Sequence, residues 1–137
     1  FKYKLTDGHN RVTFPLTAAG IATLNHSGIY DHELVRSGIS YLKQEMHGFN
    51  VQNRGHYFYW YGHYYAAQAF YQYSHVDPRQ WKIWNDTNRK NFLRWQKSNG
   101  AWIDEAGGWD EKKNAYATAM ACLILSIPNN YLPIFQH

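Results

Sequence analysis

Cysteine is almost missing from this chain: Cys122 is the only one in 137 residues. An internal disulfide and a cysteine-built metal site are thereby excluded. Long apolar runs are missing as well. The longest, around Met120 to Ile127, falls well short of the roughly 18 residues of a membrane span. No charged head leads into an apolar stretch at the start, so no signal peptide is legible. Phe1 is not a start methionine, and the chain is expected to begin inside a longer gene product whose compartment cannot be read. A strong excess of one charge is absent too, the net charge being +4. The basic residues gather modestly at Arg79, Lys82, Arg89, Lys90, Arg94 and Lys97. That spacing fits the wet face of one helix, and nucleic-acid binding is not supported.

What the chain does have is apolar and aromatic residues, 45% and 18% of the total, which excludes disorder. Its length suits one domain, residues 1–137, with a real core.

One segment is written about three times. Thr17-Ala18-Ala19-Gly20-Ile21-Ala22-Thr23-Leu24, Tyr65-Ala66-Ala67-Gln68-Ala69-Phe70-Tyr71 and Ala117-Thr118-Ala119-Met120-Ala121-Cys122-Leu123 are all alanine-rich with bulky ends. Ala18 and Ala66 lie 48 residues apart, Ala66 and Ala117 lie 51 apart. Arrays of helix pairs have periods of about 40–47 residues, so the spacing predicts such an array.

Between these segments the pattern changes. Asp31 is expected to cap a helix carrying Leu34, Val35, Ile39, Leu42 and Met46, closed at Gly48. Asp77-Pro78 starts another, with Trp81, Trp84, Asn88, Phe92 and Trp95 three or four residues apart, stopping at Ser98-Asn99-Gly100. The aromatic run from His56 to Tyr65 favours strand on propensity alone. It continues without a break into alanines, which predicts helix from about Phe58 to Ser74. The first and last helices are expected over about Thr17–Asn25 and Ala115–Ile127. Alanine-rich helices with few charges must be covered on most sides, whereas two-faced helices sit outside. The expected fold is therefore all-α, with inner and outer layers in the order inner, outer, inner, outer, inner. Ala18, Ala66, Ala67, Ala119 and Cys122 are expected in the inner layer.

Phe92-Leu93-Arg94-Trp95-Gln96-Lys97-Ser98-Asn99-Gly100-Ala101-Trp102 has the form Phe-Leu-x-x-Gln-x-x-x-Gly-x-Trp. The Phe-Leu pair is expected to plug the helix end into the core, and Gln96 to tie that end to the next loop. Gly100 would form a left-handed cap, and Trp102 would fold back as a lid. The pattern resembles the QW motif of triterpene cyclases and, with Tyr116-Ala117-Thr118-Ala119, the wider prenyltransferase and squalene-oxidase repeat. Over about residues 16–135 the resemblance implies a partial α/α toroid of about two and a half helix pairs. A bacterial repeat protein of unassigned activity is the closer resemblance.

Neither family chemistry transfers to residues present here. Cyclases that protonate an alkene use Asp-x-Asp-Asp, and the only adjacent acidic pairs are Asp104-Glu105 and Asp110-Glu111. Prenyltransferase β-subunits hold zinc through an aspartate, a cysteine and a histidine. Ala117 stands at the histidine's position, and Gly55-His56-Tyr57 lacks the Asp-x-Cys. No catalytic residue, metal or cofactor is therefore assigned. The acidic loop precedes a helix N-terminus, where dipole compensation accounts for it unless one carboxylate is buried. His56 and His63 are two helical turns apart, too far for two ligands without a third between them.

Tyr57, Trp60, Tyr61 and Tyr64 are the candidate ligand-binding residues. Their π-faces could line a cavity and hold a cation at roughly 0.5–2 kcal/mol each. Packing between helices is the plainer alternative. The sequence thus suggests a non-catalytic binding or scaffolding module with an aromatic groove for an apolar or isoprenoid ligand. The alternative is part of an isoprenoid-processing enzyme whose catalytic residues lie in further repeats. An open arc would leave apolar faces uncovered at both ends, implying self-association or further repeats.

Overall fold

A computed structural model describes residues 1–2, 12–52, 58–105, 114–129 and 131. Among these residues five α-helices follow one another: α1 Phe14–His26, α2 Glu33–Gln52, α3 Tyr59–Tyr73, α4 Pro78–Trp95 and α5 Ala115–Ser126, the last running into a short 3-10 turn. Among the described residues there is no strand, only an isolated bridge between Lys2 and Val12. The fold is all-α.

Local chemistry sets most of the helix ends. Thr13 is extended and its Oγ1 accepts from the Leu16 amide at 3.4 Å, capping α1 as threonine does elsewhere. The Ile29 amide donates to the Leu24 carbonyl and the Gly28 amide to Asn25, a Schellman ending at the expected His26-Ser27-Gly28. Asp77 caps α4, its Oδ1 accepting from the Arg79 amide at 3.1 Å with Pro78 in the first turn. The aromatic run enters α3 as helix.

Four ends differ from expectation. Helix α1 begins at Phe14 rather than about Thr17, because Thr13 caps it and Pro15 fits its first turn. At α2, the Nδ1 of His32 accepts from the Leu34 amide at 3.2 Å, while Asp31 turns to the Arg36 guanidinium at 2.7 Å. The same helix runs through Gly48 to Gln52. A glycine within a helix costs only about 1 kcal/mol, and Phe49 repays it by stacking on Phe14 with ring centres 4.3 Å apart. Finally, α4 stops at Trp95, because Gln96 is already extended.

Helix α3 is the hub, packed against α1, α2, α4 and α5, while α2 also lies on α1. The inner members α1, α3 and α5 thus stand side by side, with α2 and α4 covering the first two. The core runs through Ile21, Leu42, Trp60, Phe70, Trp84, Phe92 and Ile124. A methyl group added to Gly62 would lie 2.8 Å from the Phe49 ring, so α2 and α3 approach through that missing side chain. Ala18, Ala66 and Ala67 are fully buried. Ala119 and Cys122 are not: both are exposed. Helix α5 meets the core through Ala117, Ala121 and Ile124, and residues 119 and 122 point the other way around the helix.

Candidate functional site

The helical period splits the aromatic run of α3 into two groups, although Tyr64 and Tyr65 of the second also pack against the core. One turns inward. Trp60 is buried against Phe92 with ring centres 5.5 Å apart, on the side covered by α4. It therefore does not line an open groove, contrary to the sequence expectation. The space beside it, bounded by Tyr59, Trp95, Lys97, Trp102 and Ile103, is only about 10 Å³, so this side is filled.

The other group faces outward. Phe58, Tyr61 and Tyr65 follow at three- and four-residue intervals, and Tyr64 lies beside them. Ring centres are 6.1 Å apart for Phe58 and Tyr61, 4.8 Å for Tyr61 and Tyr65, and 5.2 Å for Tyr64 and Tyr65. Phe58 is 41% exposed and the three tyrosines are half-buried. Burial pushes the phenols of Tyr61 and Tyr64 up, with a smaller push from Tyr65. The raised phenols of Tyr61 and Tyr64 are uncharged at neutral pH. The cluster offers π-faces with hydroxyl rims, suited to apolar or cationic groups. Of the candidates named from sequence, the structure brings Tyr61 and Tyr64 together and adds Phe58 and Tyr65. Tyr57 lies outside the described residues. The i, i+3, i+7 spacing of Phe58, Tyr61 and Tyr65 was the signal that could have found the added pair.

The inward group surrounds a histidine. His63 has no exposed surface. Rings from four helices enclose it: Tyr59 at 4.5 Å, Phe49 at 5.2 Å, Phe92 at 5.3 Å, Phe14 at 6.0 Å and Trp84 at 6.1 Å between centres. Neither imidazole nitrogen has a hydrogen-bond partner among the described residues. Burial alone drives its pKa down to about 3, because desolvation penalises the charged form. His63 is a neutral core residue.

Several bonds tie the Phe92–Trp102 segment, among them one from the Thr118 hydroxyl to the Trp102 carbonyl at 3.3 Å. Gln96 Nε2 donates to the Gly100 carbonyl at 2.8 Å, the Trp102 indole donates to the Phe92 carbonyl at 2.7 Å, and the Trp102 amide donates to Thr118 Oγ1 at 3.0 Å. Gly100 has φ of +85°. It belongs to a turn in which its amide donates to the Lys97 carbonyl, beyond the helix end rather than at its cap. Phe92 is buried, but Leu93 is 46% exposed. Adjacent helical positions are about 100° apart, and α4 buries only the narrow stripe of Trp84, Asn88 and Phe92, so Leu93 turns to solvent.

A shallow cleft of about 250 Å³ between Phe1, Val12, Thr17, Leu34, Ser37, Gly38 and Tyr41 was not anticipated. It joins segments distant in sequence and leaves no local pattern. Of the acidic loop, Asp104 is buried and Glu105 exposed, while Asp110 and Glu111 lie outside the described residues. The basic residues of α4 are exposed, with Lys82 paired to Asp86 at 2.6 Å. Among the described residues no three His, Cys, Asp or Glu side chains converge as a metal site, and no helix is long and apolar enough to cross a membrane. No protein-family model matches this chain, and neither a curated protein nor a solved structure matches it.

Proposed function

We propose that this chain is a non-catalytic binding or scaffolding module, an arc of α/α-toroid type that receives an apolar ligand on the outward face of α3. The observation that carries this reading is the contiguous cluster of Phe58, Tyr61, Tyr64 and Tyr65, uncharged and only half covered. A core needs no aromatic stripe on its solvent side, whereas ligand sites combine apolar walls with a few polar groups. The two-layer order of the helices supports the arc. The second reading, part of an isoprenoid-processing enzyme, draws on the bonds of Gln96, Gly100 and Trp102, which suit a cyclase-type repeat. It requires catalytic residues in other repeats.

Farnesol, an isoprenoid alcohol without a leaving group, is a suitable probe for the binding face. Added to protein carrying ring-labelled tyrosine, it should shift the NMR signals of Tyr61, Tyr64 and Tyr65 and spare the buried Tyr59. Replacing Tyr61 and Tyr65 with alanine should weaken that binding at least tenfold. The absence of any shift at these rings would overturn the groove. Incubation of the natural gene product, with any further repeats it carries, with farnesyl diphosphate then separates the two readings: recovery of unchanged substrate fits a binding module, and a cyclised or transferred product fits the enzyme.

A further inference from the structure

Charge is unevenly placed along α4. Near its start Arg79 is paired with Asp77 at 2.9 Å, and Lys82 with Asp86 at 2.6 Å. Beyond Asp86 the sign becomes uniform. Arg89, Lys90, Arg94 and Lys97 follow, and no acidic residue stands before Asp104. Their four charges match the net +4 of the whole chain. All four are exposed, and none has an ion pair among the described residues. Leu93, 46% exposed, lies one turn along from Arg89 and Lys90, and Arg94 one turn along from Lys90. Ile83, 53% exposed, stands two turns before Lys90 on the same side. The face opposite Trp84, Asn88 and Phe92 is therefore basic, with bare aliphatic side chains set in it. The helix dipole favours cations in the last turn, which accounts for Arg94 but not for Arg89 and Lys90. A face that only meets water usually mixes the two signs, and like charges a turn apart, such as Lys90 and Arg94, repel.

We propose that the outward face of α4 docks on an anionic lipid bilayer, with Arg89, Lys90, Arg94 and Lys97 over the headgroups and Leu93 entering between them. This goes beyond the reading of the α3 face and does not rest on it. Charge complementarity selects an anionic occupant, since the last turns of α4 carry four unpaired cations and no acid. The form of the face selects a bilayer among anionic partners. It is the convex outer side of a helix, so it offers an acidic peptide no groove to lie in. The aromatic residues of α4 all turn the other way: Trp81 packs on Tyr71, Trp84 on His63, Phe92 on Trp60 and Trp95 on Tyr59. None is left on the outward face to stack on a nucleic-acid base. Long cationic stems around an aliphatic side chain suit mobile headgroups over acyl chains, the pattern of helices that lie in a membrane interface.

The full chain, mixed with phosphatidylcholine vesicles carrying about 30% phosphatidylglycerol, should co-sediment with them at about 0.1 M salt and be released at about 1 M. Vesicles of phosphatidylcholine alone should leave it in solution. Each cation strengthens binding to an anionic surface about fivefold, so Arg89→Gln combined with Arg94→Gln should weaken it about 25-fold. Leu93→Ser leaves the charge intact and should still weaken binding about fivefold. These positions are exposed, so the melting midpoints should stay within about 2 °C of the wild type; Lys90→Gln with Lys97→Gln serves if the first pair folds poorly. Absence of binding to the anionic vesicles overturns the proposal, whether the face is bare or held by another part of the chain. Equal binding to neutral vesicles overturns it too, since an apolar surface such as that of α3 would then be responsible. Binding that Leu93→Ser leaves unchanged, and that polyglutamate competes away, would assign the face to an acidic polypeptide instead. The farnesol shifts at Tyr61, Tyr64 and Tyr65 read a different helix, so either reading can fail without the other.

Discussion

As the pH falls below about 6.5, the unfolded chain takes up a proton at residue 63 that the folded chain refuses. The folded pKa of His63 is about 3, and burial is the cause. Its sign is that of a group whose neutral form the fold prefers. The stability it contributes is fully present above pH 6.5 and is lost as the pH drops toward 3. Each unit is worth about 1.4 kcal/mol, so the loss reaches about 3 kcal/mol by pH 4.5 and about 4 kcal/mol near pH 3. A domain holds only about 5–15 kcal/mol in all, so this one side chain can account for acid unfolding. His63→Leu keeps a similar volume and removes two nitrogens that have no partner among the described residues, so at neutral pH the variant should be at least as stable as the wild type. Urea unfolding followed by tryptophan fluorescence at about pH 7, 5.5 and 4.5 measures the difference. Carboxylates such as Asp77, held low by its bonds to the Arg79 guanidinium, titrate in both proteins and cancel. The wild type should lose about 3 kcal/mol more than the variant by pH 4.5. Equal losses would refute the buried, neutral imidazole and with it the ring enclosure.

Trp102→Ala should lower stability by about 3–5 kcal/mol, since the ring is buried and its indole bonds the Phe92 carbonyl; Leu93→Ala should change it by less than about 0.5 kcal/mol. Thermal melts of the two variants check the assignment, and equal effects would mean that the lid does not hold α4 to α5. Gly100→Ala should cost about 1–2 kcal/mol through its positive φ alone, because the nearest atom to an added methyl is 3.9 Å away. Gly62→Ala should cost more and should lower the near-ultraviolet aromatic signal, since the methyl would drive the Phe49 ring off Phe14; an unaltered signal would mean that α2 and α3 are less tightly packed there.

Local signals carried the order of the helices. Asp77-Pro78 begins α4 because an aspartate oxygen and a missing proline amide solve the same problem, the unpaired donors of a first turn. The aromatic run became helix because it continues into Ala66, Ala67 and Ala69, and a strand of that length would have had to stop first. The misses share a different cause. Gly48 would end an isolated helix, but Phe49 has Phe14 to stack on, and tertiary contact outweighs one unfavourable residue. His32 displaces Asp31 as the cap because Asp31 has Arg36 within reach. The ring enclosure of His63 draws on Phe14, Phe49, Trp84 and Phe92 from three other helices, and no spacing within one segment records it.

Ala119 and Cys122 separate composition from exposure most clearly. Their surroundings in sequence describe a helix covered on every side, whereas among the described residues α3 and the Trp102 segment cover only part of it. Composition along a segment records how apolar a helix is and not which of its faces the fold covers. The same logic separates the two aromatic groups of α3. Trp60 and His63 are aromatic where neighbours from α4 bury them. Phe58 and Tyr61 lie on the open side of α3, and Tyr65 packs against the core while staying partly exposed. Burial explains the first group completely and the second only in part, which is why the binding reading rests on the outward stripe.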